Sequence, residues 1–509
     1  MKKRLLISAA VLTATAAGFA GYVSGAVGVN SKALRDAVTV AGMLIQEYDL
    51  QTVADANNGT RASGTPGFDA SLAYVKSTLE AAGYTATVQP FQFPYFEEVT
   101  PAQFSQTAPT PTVYQTGTHF EIMEYSGSGD VTASLQNVDL VLPPGAAAST
   151  SNSGCEAADF AGFAAGKIAL LQRGTCTFLE KAANAQAAGA VGVIIFNEGQ
   201  PGRTEVLNGT LGEPTVGIPV IGTSFELGNE LAQTSGAVVH IVTNTTSEMR
   251  NTANLIAETS GGRAGRVVAV GAHLDSVPGG AGIEDNGSGS SAILEIALQM
   301  KALGINPRNK VRFMWFGAEE AGLLGSEYYV SQLSKRQKQD IMANLNFDMI
   351  ASPNFVRFVY DGDGSDTPDA GPNGSSVIED VFAKYFNSKN LPFEATAFDG
   401  RSDYGPFIAA GIPAGGLFTG AEELKTPEQV AIYGGTAGVQ LDPCYHDTCD
   451  TYVNNNEQVF GEMGDAAADA VLQFAMTTSA VKGTSKANDA AVKSVDSESL
   501  AYRGSHLQR

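Results

Sequence analysis

The first patterned region of the chain predicts two helices followed by a strand. Apolar residues recur at helical spacing over 31–49 and 66–83, which is typical of helices that bury one face. The polar residues 57–61 between them predict a loop. Residues 84–93 alternate between apolar and polar side chains, and this period of two predicts a strand.

From about residue 107, the pattern changes to short apolar runs separated by Pro, Thr, Ser and Gly. Within this block, residues 166–197 read as a strand, a turn, a helix and a second strand. We therefore expect a small α/β domain over 107–245. It would be inserted into a larger, discontinuous domain formed by 27–106 and 246–475.

In the C-terminal half, predicted strands alternate with predicted helices. The strands cover 266–271, 310–316 and 345–349, and the helices cover 290–303 and 377–387. This alternation is typical of an α/β fold with a mainly parallel sheet and helices on both faces. Ligands of such sheets bind at the carboxyl ends of the strands.

The two ends of the chain predict processing signals rather than core. Lys2, Lys3 and Arg4 precede a short apolar run, which is typical of a secretory signal, here over 1–26. Residues 476–509 are small, polar and aperiodic, so we expect a flexible tail that could be processed. No later segment is long and apolar enough to span a membrane, and the mature protein should be secreted and extracellular.

Charge and cysteine content narrow the possible functions. The 509 residues include 31 basic and 53 acidic side chains, a net charge of −22. This excess argues against a nucleic-acid partner, and repulsion between copies favours a monomer. Four cysteines allow three pairings. Local closure favours Cys155–Cys176 and Cys444–Cys449, as expected in an oxidising compartment.

Chemically reactive side chains follow the predicted strands. His273 and Asp275 come directly after the first strand. Glu319 and Glu320 follow the second strand, and Asp348 follows the third. Adjacent carboxylates on a tight turn repel each other unless a metal ion or a proton neutralises them. The strand ends therefore indicate a metal site.

Two further positions complete a set of metal ligands. Asp285 lies in a glycine-rich loop, and His446 lies inside the short loop between Cys444 and Cys449. Two imidazoles and three carboxylates can hold two zinc ions if one carboxylate bridges them. Such a pair clamps a hydroxide nucleophile and polarises a substrate carbonyl. The predicted ligands are His273, Asp285, Glu320, Asp348 and His446.

Three neighbouring residues are expected to supply the other roles. Glu319 is left over from the ligand set and would be the general base that takes a proton from the bridging water. Tyr445 could donate its hydroxyl to the oxyanion. Asp275 would fix the tautomer of His273.

Other catalytic motifs do not occur in the sequence. It contains no H-E-x-x-H, no G-x-S-x-G, no Walker loop and no G-x-G-x-x-G after a strand. Residues 361–366 hint at calcium, but they lack the Gly and Glu that an EF-hand loop requires. A polar surface loop is the better interpretation.

The reactive segments together resemble the secreted di-zinc aminopeptidases of metallopeptidase family 28. The segments that carry the resemblance are AHLDS (272–276), GIEDNGSG (282–289), GAEEAGLLGS (317–326), NFDM (346–349), GRSDYGPF (400–407) and CYHDTC (444–449). The resemblance implies a zinc-exopeptidase fold, a mixed and mainly parallel sheet flanked by helices. It also implies peptide substrates with a free N-terminus, with a preference for apolar, leucine-like first residues.

The resemblance assigns the ligands to two ions. It implies that His273 and Asp348 hold one zinc and that Glu320 and His446 hold the other. Asp285 would bridge the two.

It also implies roles for residues around the ions. Glu319 matches the family's base, Tyr445 its oxyanion stabiliser, and Arg401 lies near where the first substrate residue is held. Some family members bind calcium, but Gly461 stands where an acid would be expected, so calcium is unsupported. The stretch 166–197 resembles a protease-associated domain, which would either influence substrate access or be a structural insert.

Three alternatives remain open. A glutaminyl cyclase of this fold works with one zinc, so a full two-metal set argues against it. A carboxypeptidase would need a cationic pocket, for which Arg401 alone is thin support. An inactive secreted binding protein would have lost a ligand or the base, and none is lost. The sequence therefore predicts a secreted, zinc-dependent aminopeptidase.

Overall fold

The structure is a computed structural model that describes residues 29–482. The predicted signal over 1–26 lies outside these residues. The helices are α1 (Lys32–Ala37), α2 (Val40–Ala56), α3 (Pro66–Ala81), α4 (Phe178–Ala187), α5 (Phe225–Gln233), α6 (Gly289–Ala302), α7 (Leu324–Ser331), α8 (Lys335–Asp340), α9 (Ser375–Lys389), α10 (Tyr404–Ala409), α11 (Pro427–Tyr433) and α12 (Glu457–Met476). Among residues 29–482, no helix has both the length and the apolar character needed to cross a membrane.

The strands form one hydrogen-bonded sheet that extends through both parts of the molecule, with β1 and β2 as a branch that joins it at β8. They are β1 (Thr85–Ala108), β2 (Thr112–Tyr114), β3 (Phe120–Ile122), β4 (Gly129–Asn137), β5 (Ile168–Gln172), β6 (Gly192–Phe196), β7 (Val220–Thr223), β8 (Val238–Glu258), β9 (Arg263–His273), β10 (Asn309–Phe316), β11 (Ile341–Phe347), β12 (Phe358–Tyr360), β13 (Glu394–Thr396) and β14 (Ala414–Phe418).

The sheet of the larger domain has the strand order β13-β12-β14-β11-β9-β10-β8. Strands β10, β9, β11 and β14 run parallel to one another. Strands β8 and β12 are antiparallel to their neighbours β10 and β14. The predicted mixed, mainly parallel sheet is confirmed.

The central strands are apolar on both faces because helices cover both sides of the sheet. Val268 and Val270 of β9 belong to a core shared with α6 and α12. The alternate residues Val267 and Ala269 pack on the other face, with Phe407 of α10. Burial on both faces explains why β9 reads as an unbroken apolar run rather than an alternating one.

A two-stranded ribbon links the larger domain to the inserted block. Strands β1 and β8 pair antiparallel along their length, from Thr85 opposite Glu258 to Ala108 opposite Val238. Strand β8 also pairs with β10 at one end and with β4 at the other. The junctions expected near residues 106 and 246 fall within these strands, so continuous strands connect the two parts.

The inserted block is a small α/β unit of its own. Strands β4, β5, β6 and β7 run parallel, and β3 joins β7 antiparallel. The predicted strand, helix and strand within 166–197 appear as β5, α4 and β6. A Thr177–Glu180 capping box starts α4, and the Cys155–Cys176 disulfide lies beside it.

The first residues of the predicted flexible tail pack against the larger domain. Helix α12 ends at Met476, but Val481 is buried in the main core. The guanidinium of Arg266 donates a hydrogen bond to the Ser479 carbonyl at 2.7 Å. The isolated apolar Val481 is too short a signal for a sequence-based prediction of this packing.

Gly416 is a point where the sheet tolerates no side chain. It lies on β14 opposite Asn346 of β11, and an added Cβ would lie 1.8 Å from the Asn346 carbonyl oxygen. We expect Gly416→Ala to lower the free energy of unfolding by about 1–3 kcal/mol, the usual cost of overpacking. Urea unfolding measures it. Gly279→Ala, at a glycine with open space around it, is the matched control, and an equal loss in both variants would contradict the packing argument.

Candidate metal centre and active site

Three adjacent parallel strands deliver reactive side chains to one edge of the sheet. Strand β9 ends at His273. Strand β10 ends at Phe316, shortly before Glu319 and Glu320, and β11 ends immediately before Asp348. Because the strands lie in the order β11-β9-β10 and run parallel, these side chains converge at the same carboxyl edge.

The carboxylate of Asp285 lies between the two histidines. Its Oδ1 is 3.1 Å from Nε2 of His273, and its Oδ2 is 3.2 Å from Nε2 of His446. Nε2 of His273 is also 3.4 Å from Asp348 Oδ1. Nε2 of His446 is 3.1 Å from Glu320 Oε2. The five predicted ligands are thus brought together as two groups that share Asp285.

The charges of this cluster fit bound cations. Burial alone would lower the pKa of His446, but Glu320 and Asp285 raise it to about 11. Burial raises the pKa of Glu320. Asp348 Oδ1 is buried and accepts no hydrogen bond from any residue of 29–482. A bound cation between these side chains would compensate the negative charge of the carboxylates. Imidazoles together with carboxylates are a donor set that suits zinc.

Glu319 lies beside the ligands rather than among their closest contacts. Its Oε2 is 3.9 Å from Nε2 of His273. Burial raises the pKa of Glu319 well above its ordinary value, and His273 opposes that shift. The preceding Ala318 has a φ of 54°, and its backbone N–H donates to Ser63. This turn directs Glu319 into the site.

Asp275 faces the other nitrogen of His273. The Nδ1 atom is 3.1 Å from the Asp275 backbone carbonyl and 3.7 Å from its Oδ1. The same carboxylate accepts the backbone N–H of Glu319 at 3.2 Å. Asp275 therefore contacts both the ring of His273 and the backbone of Glu319, and its role in fixing the His273 tautomer stays a prediction.

The disulfide loop fixes Tyr445 and His446. Cys444 and Cys449 are joined, and His446 has a φ of 57°, a conformation that is uncommon for a residue with a side chain. The rings of Tyr445 and His446 stack with their centroids 3.8 Å apart. Short loop closure by the disulfide supports this backbone conformation.

Arg401 contacts Tyr445 and a carboxylate. Its Nη2 donates to the Tyr445 hydroxyl oxygen at 3.1 Å, and its Nη1 donates to Glu422 Oε1 at 2.6 Å. The guanidinium charge is therefore compensated by Glu422. Arg401 lines the cavity beside the predicted ligands, but its charge is already paired, and its contact with a substrate stays a prediction.

A cavity opens beside the predicted metal ligands. Part of its wall is apolar and is formed by Met349, Tyr360, Phe418 and Ala421. Asp399 and Glu423 add acidic groups to the lining, with Arg401 and Tyr445. The cavity therefore offers both an apolar surface and negative charge next to the ligands.

Several supporting residues were missed by the sequence analysis. The Asp450 carboxylate accepts the backbone N–H groups of Glu284 and Asp285, at 2.8 and 3.0 Å. The side chain of Asn286 donates to the Phe347 carbonyl at 2.9 Å, and Ser402 donates to Asp348. Their sequence neighbours resemble ordinary loop residues. The only signal was their position inside, or directly after, the segments that carry the family resemblance.

The acidic loop at 361–366 has a local structural role. Carboxylate oxygens of Asp361, Asp363 and Glu379 lie within 4.8 Å of one another. Asp361 accepts backbone N–H groups, among them those of Gly364 and Thr367. These hydrogen bonds are typical of a turn and agree with the predicted polar loop.

Comparisons with known proteins show which families and relatives this chain is similar to. The family model described as "Peptidase family M28" matches residues 254–471, and the model described as "PA domain" matches residues 136–231. A relative named "Aminopeptidase" from Pseudomonas aeruginosa strain UCBPP-PA14 is 50% identical over 435 residues, which cover 85% of this chain and 80% of the relative. "Leucine aminopeptidase 2" of Trichophyton equinum is 47% identical over 328 residues, 64% of this chain and 65% of that protein.

Solved structures of aminopeptidases have a similar fold. An aminopeptidase from Aneurinibacillus sp. strain AM-1 is similar with a TM-score of 0.64 at 25% identity, over 88% of this chain and 97% of that chain. BSAP, a zinc aminopeptidase from Bacillus subtilis, gives 0.56 at 25% identity, over 87% and 97%.

The fold, together with these relatives, defines a metallopeptidase with an inserted accessory domain. The chain belongs to peptidase family M28 and carries a PA domain. The family resemblance and the predicted class of enzyme, a metalloaminopeptidase, are confirmed.

The disulfide loop generates a testable prediction. A Cys444→Ser/Cys449→Ser double variant removes the disulfide that closes the loop around His446. We expect kcat/KM to fall by at least about tenfold, the usual effect of removing a group that orients a metal ligand. Kinetics with an aminoacyl p-nitroanilide measure the loss. The matched control is Cys155→Ser/Cys176→Ser, because that disulfide lies in the inserted domain. Similar losses in both double variants would contradict a specific role for the 444–449 loop.

Proposed function

We propose that this chain is a secreted aminopeptidase that works with two zinc ions, held by His273 and Asp348 on one side and by Glu320 and His446 on the other. Asp285 joins the two groups. The observation that carries the proposal is the position of its two carboxylate oxygens, each about one hydrogen-bond length from a different imidazole. A carboxylate that faces two ligand sets in this way is suited to bridge two cations.

Zinc at this site would supply electrostatic activation of water and of the scissile carbonyl. The protein's own groups move the protons. Glu319, whose Oε2 lies 3.9 Å from Nε2 of His273 and so beside the proposed ligands, accepts a proton from the attacking water and returns it to the departing amine. The Tyr445 hydroxyl donates a hydrogen bond to the oxyanion of the tetrahedral intermediate.

Arg401 would assist Tyr445 rather than bind a substrate carboxylate. Because the guanidinium donates to the Tyr445 hydroxyl oxygen, the hydroxyl proton can point away from Arg401 and toward the substrate. The ion pair with Glu422 leaves little positive charge for a terminal carboxylate. This pairing favours an aminopeptidase over a carboxypeptidase.

The cavity lining supports an apolar first residue and a free amino group. Met349, Phe418 and Ala421 form an apolar surface next to the ligands, on which a leucine-like side chain would be buried. The negative charge around the ligands, with Asp399 and Glu423 nearby, favours a substrate ammonium group. The names of the Trichophyton relatives, leucine aminopeptidases, support the same preference.

The proposed extracellular location rests on the two disulfides. Both pairings expected from the sequence form in the structure, and disulfides persist in oxidising compartments.

Hydrolysis of leucine p-nitroanilide, beside its N-acetyl derivative, tests the function. We expect cleavage of the free-amine substrate only, loss of activity with a chelator, and recovery with zinc. Glu319→Gln should lower kcat by about 10²–10⁴, the usual contribution of a positioned general base, with its zinc content unchanged. Glu327→Gln, an exposed glutamate on α7, is the matched control.

Two outcomes would contradict this proposal. Cleavage of the N-acetylated substrate at a comparable rate would show that the enzyme does not need a free N-terminus. Full activity of Glu319→Gln would show that another group is the base.

A further inference from the structure

We propose that Arg61 is a positioning residue for the metal centre. Its side chain holds the loop 274–282, which connects the two proposed ligands His273 and Asp285. The inference rests on the proposed zinc site. Arg61 lies in the segment 57–61, more than 200 positions before the loop, and none of its atoms is among the cavity-lining groups. Its effect on the site would therefore be indirect.

The guanidinium of Arg61 spans the loop. Its Nε donates to the Ala281 carbonyl at 2.8 Å, and its two terminal nitrogens donate to the carbonyls of Leu274 and Gly282. The backbone N–H of Arg61 donates to Ser276 Oγ at 3.0 Å. These acceptors lie at both ends of the loop, so one side chain fixes the distance between its start and its end.

The ends of this loop adjoin two proposed ligands. Leu274 directly follows His273, and Gly282 lies three residues before Asp285. Gly280, near the end of the loop, lies against the loop that contains His446, since an added Cβ there would be 2.7 Å from the Asp447 carbonyl oxygen. A change in the loop would therefore move the ligands of both ions relative to each other.

The buried charge of Arg61 indicates a specific requirement for a guanidinium. The side chain is fully buried, and burial lowers its pKa to about 10, while Asp450, Asp275 and Asp285 oppose that shift. A buried cation is costly unless its hydrogen bonds are satisfied. The planar, forked guanidinium can reach three separated carbonyls, whereas a lysine ammonium is a compact point charge that cannot.

The backbone around Arg61 is itself fixed. An added Cβ at Gly67, in the first turn of α3, would lie 2.0 Å from the Thr60 carbonyl oxygen and 3.2 Å from Arg61 Cα. The Thr60 hydroxyl donates to the Val277 carbonyl at 3.3 Å. Arg61 is thus held between α3 and the loop that it supports, as a rigid positioning group requires.

Zinc affinity of the full-length protein tests the inference. Dissociation constants are measured by competition with a chromophoric chelator for the wild type and for Arg61→Lys, which keeps the charge but loses the fork. We expect zinc binding to weaken by about 10- to 100-fold, the usual effect of removing a group that orients metal ligands. Arg357→Lys is the matched control, since Arg357 is buried but pairs with Glu462 and Pro392 away from the ligands. Its zinc affinity should be unchanged.

A second variant keeps the test decisive if Arg61→Lys does not fold. Ser276→Ala removes the acceptor of the Arg61 backbone N–H. It should lower thermal stability modestly, because a buried donor loses its partner, and should weaken zinc binding severalfold. Zinc affinity within twofold of the wild type, in whichever of these variants folds, would overturn the positioning role. A wild-type protein that binds no zinc would overturn the proposed function itself, and with it this inference, so the two failures are distinguishable.

Discussion

The contact on which the active site depends is the placement of one carboxylate, Asp285, between the imidazoles of His273 and His446. His273 at a strand end and Asp285 in a glycine-rich loop are 12 positions apart, whereas His446 comes from a disulfide-closed loop much later in the chain. Because β9, β10 and β11 run parallel, the residues that follow these three strands lie at the same edge of the sheet. The fold therefore brings together carboxylates, which repel one another, and imidazoles, which would otherwise be solvated.

Such convergence has an electrostatic cost that the surroundings must offset. Burial raises the pKa of Glu319 and of Glu320, and the carboxylates raise the pKa of both histidines. Backbone N–H donors to Asp450 and the buried guanidinium of Arg61 support the loops behind the ligands. A pair of divalent cations would supply the remaining positive charge.

The sequence predicted much of this because the strand pattern and the reactive residues are local signals. An unbroken apolar run predicted β9 and a mainly apolar run predicted β10, and the residues just after them are the ones that meet in space. Arg61, Asp450 and Glu422 could not be predicted in the same way. Their roles depend on contacts with residues distant in the chain, and an arginine in a polar loop has the same local pattern whether it is exposed or buried. The packing of Val481 was missed for a related reason, since one apolar residue shows no periodicity.

The most direct test of the two-metal account is a crystal structure of the zinc-loaded protein with anomalous diffraction recorded at the zinc absorption edge. The account predicts two peaks about 3.5–4 Å apart, one beside His273 and Asp348 and the other beside Glu320 and His446. Asp285 should contact both. A single peak, or two peaks of which only one contacts Asp285, would contradict it.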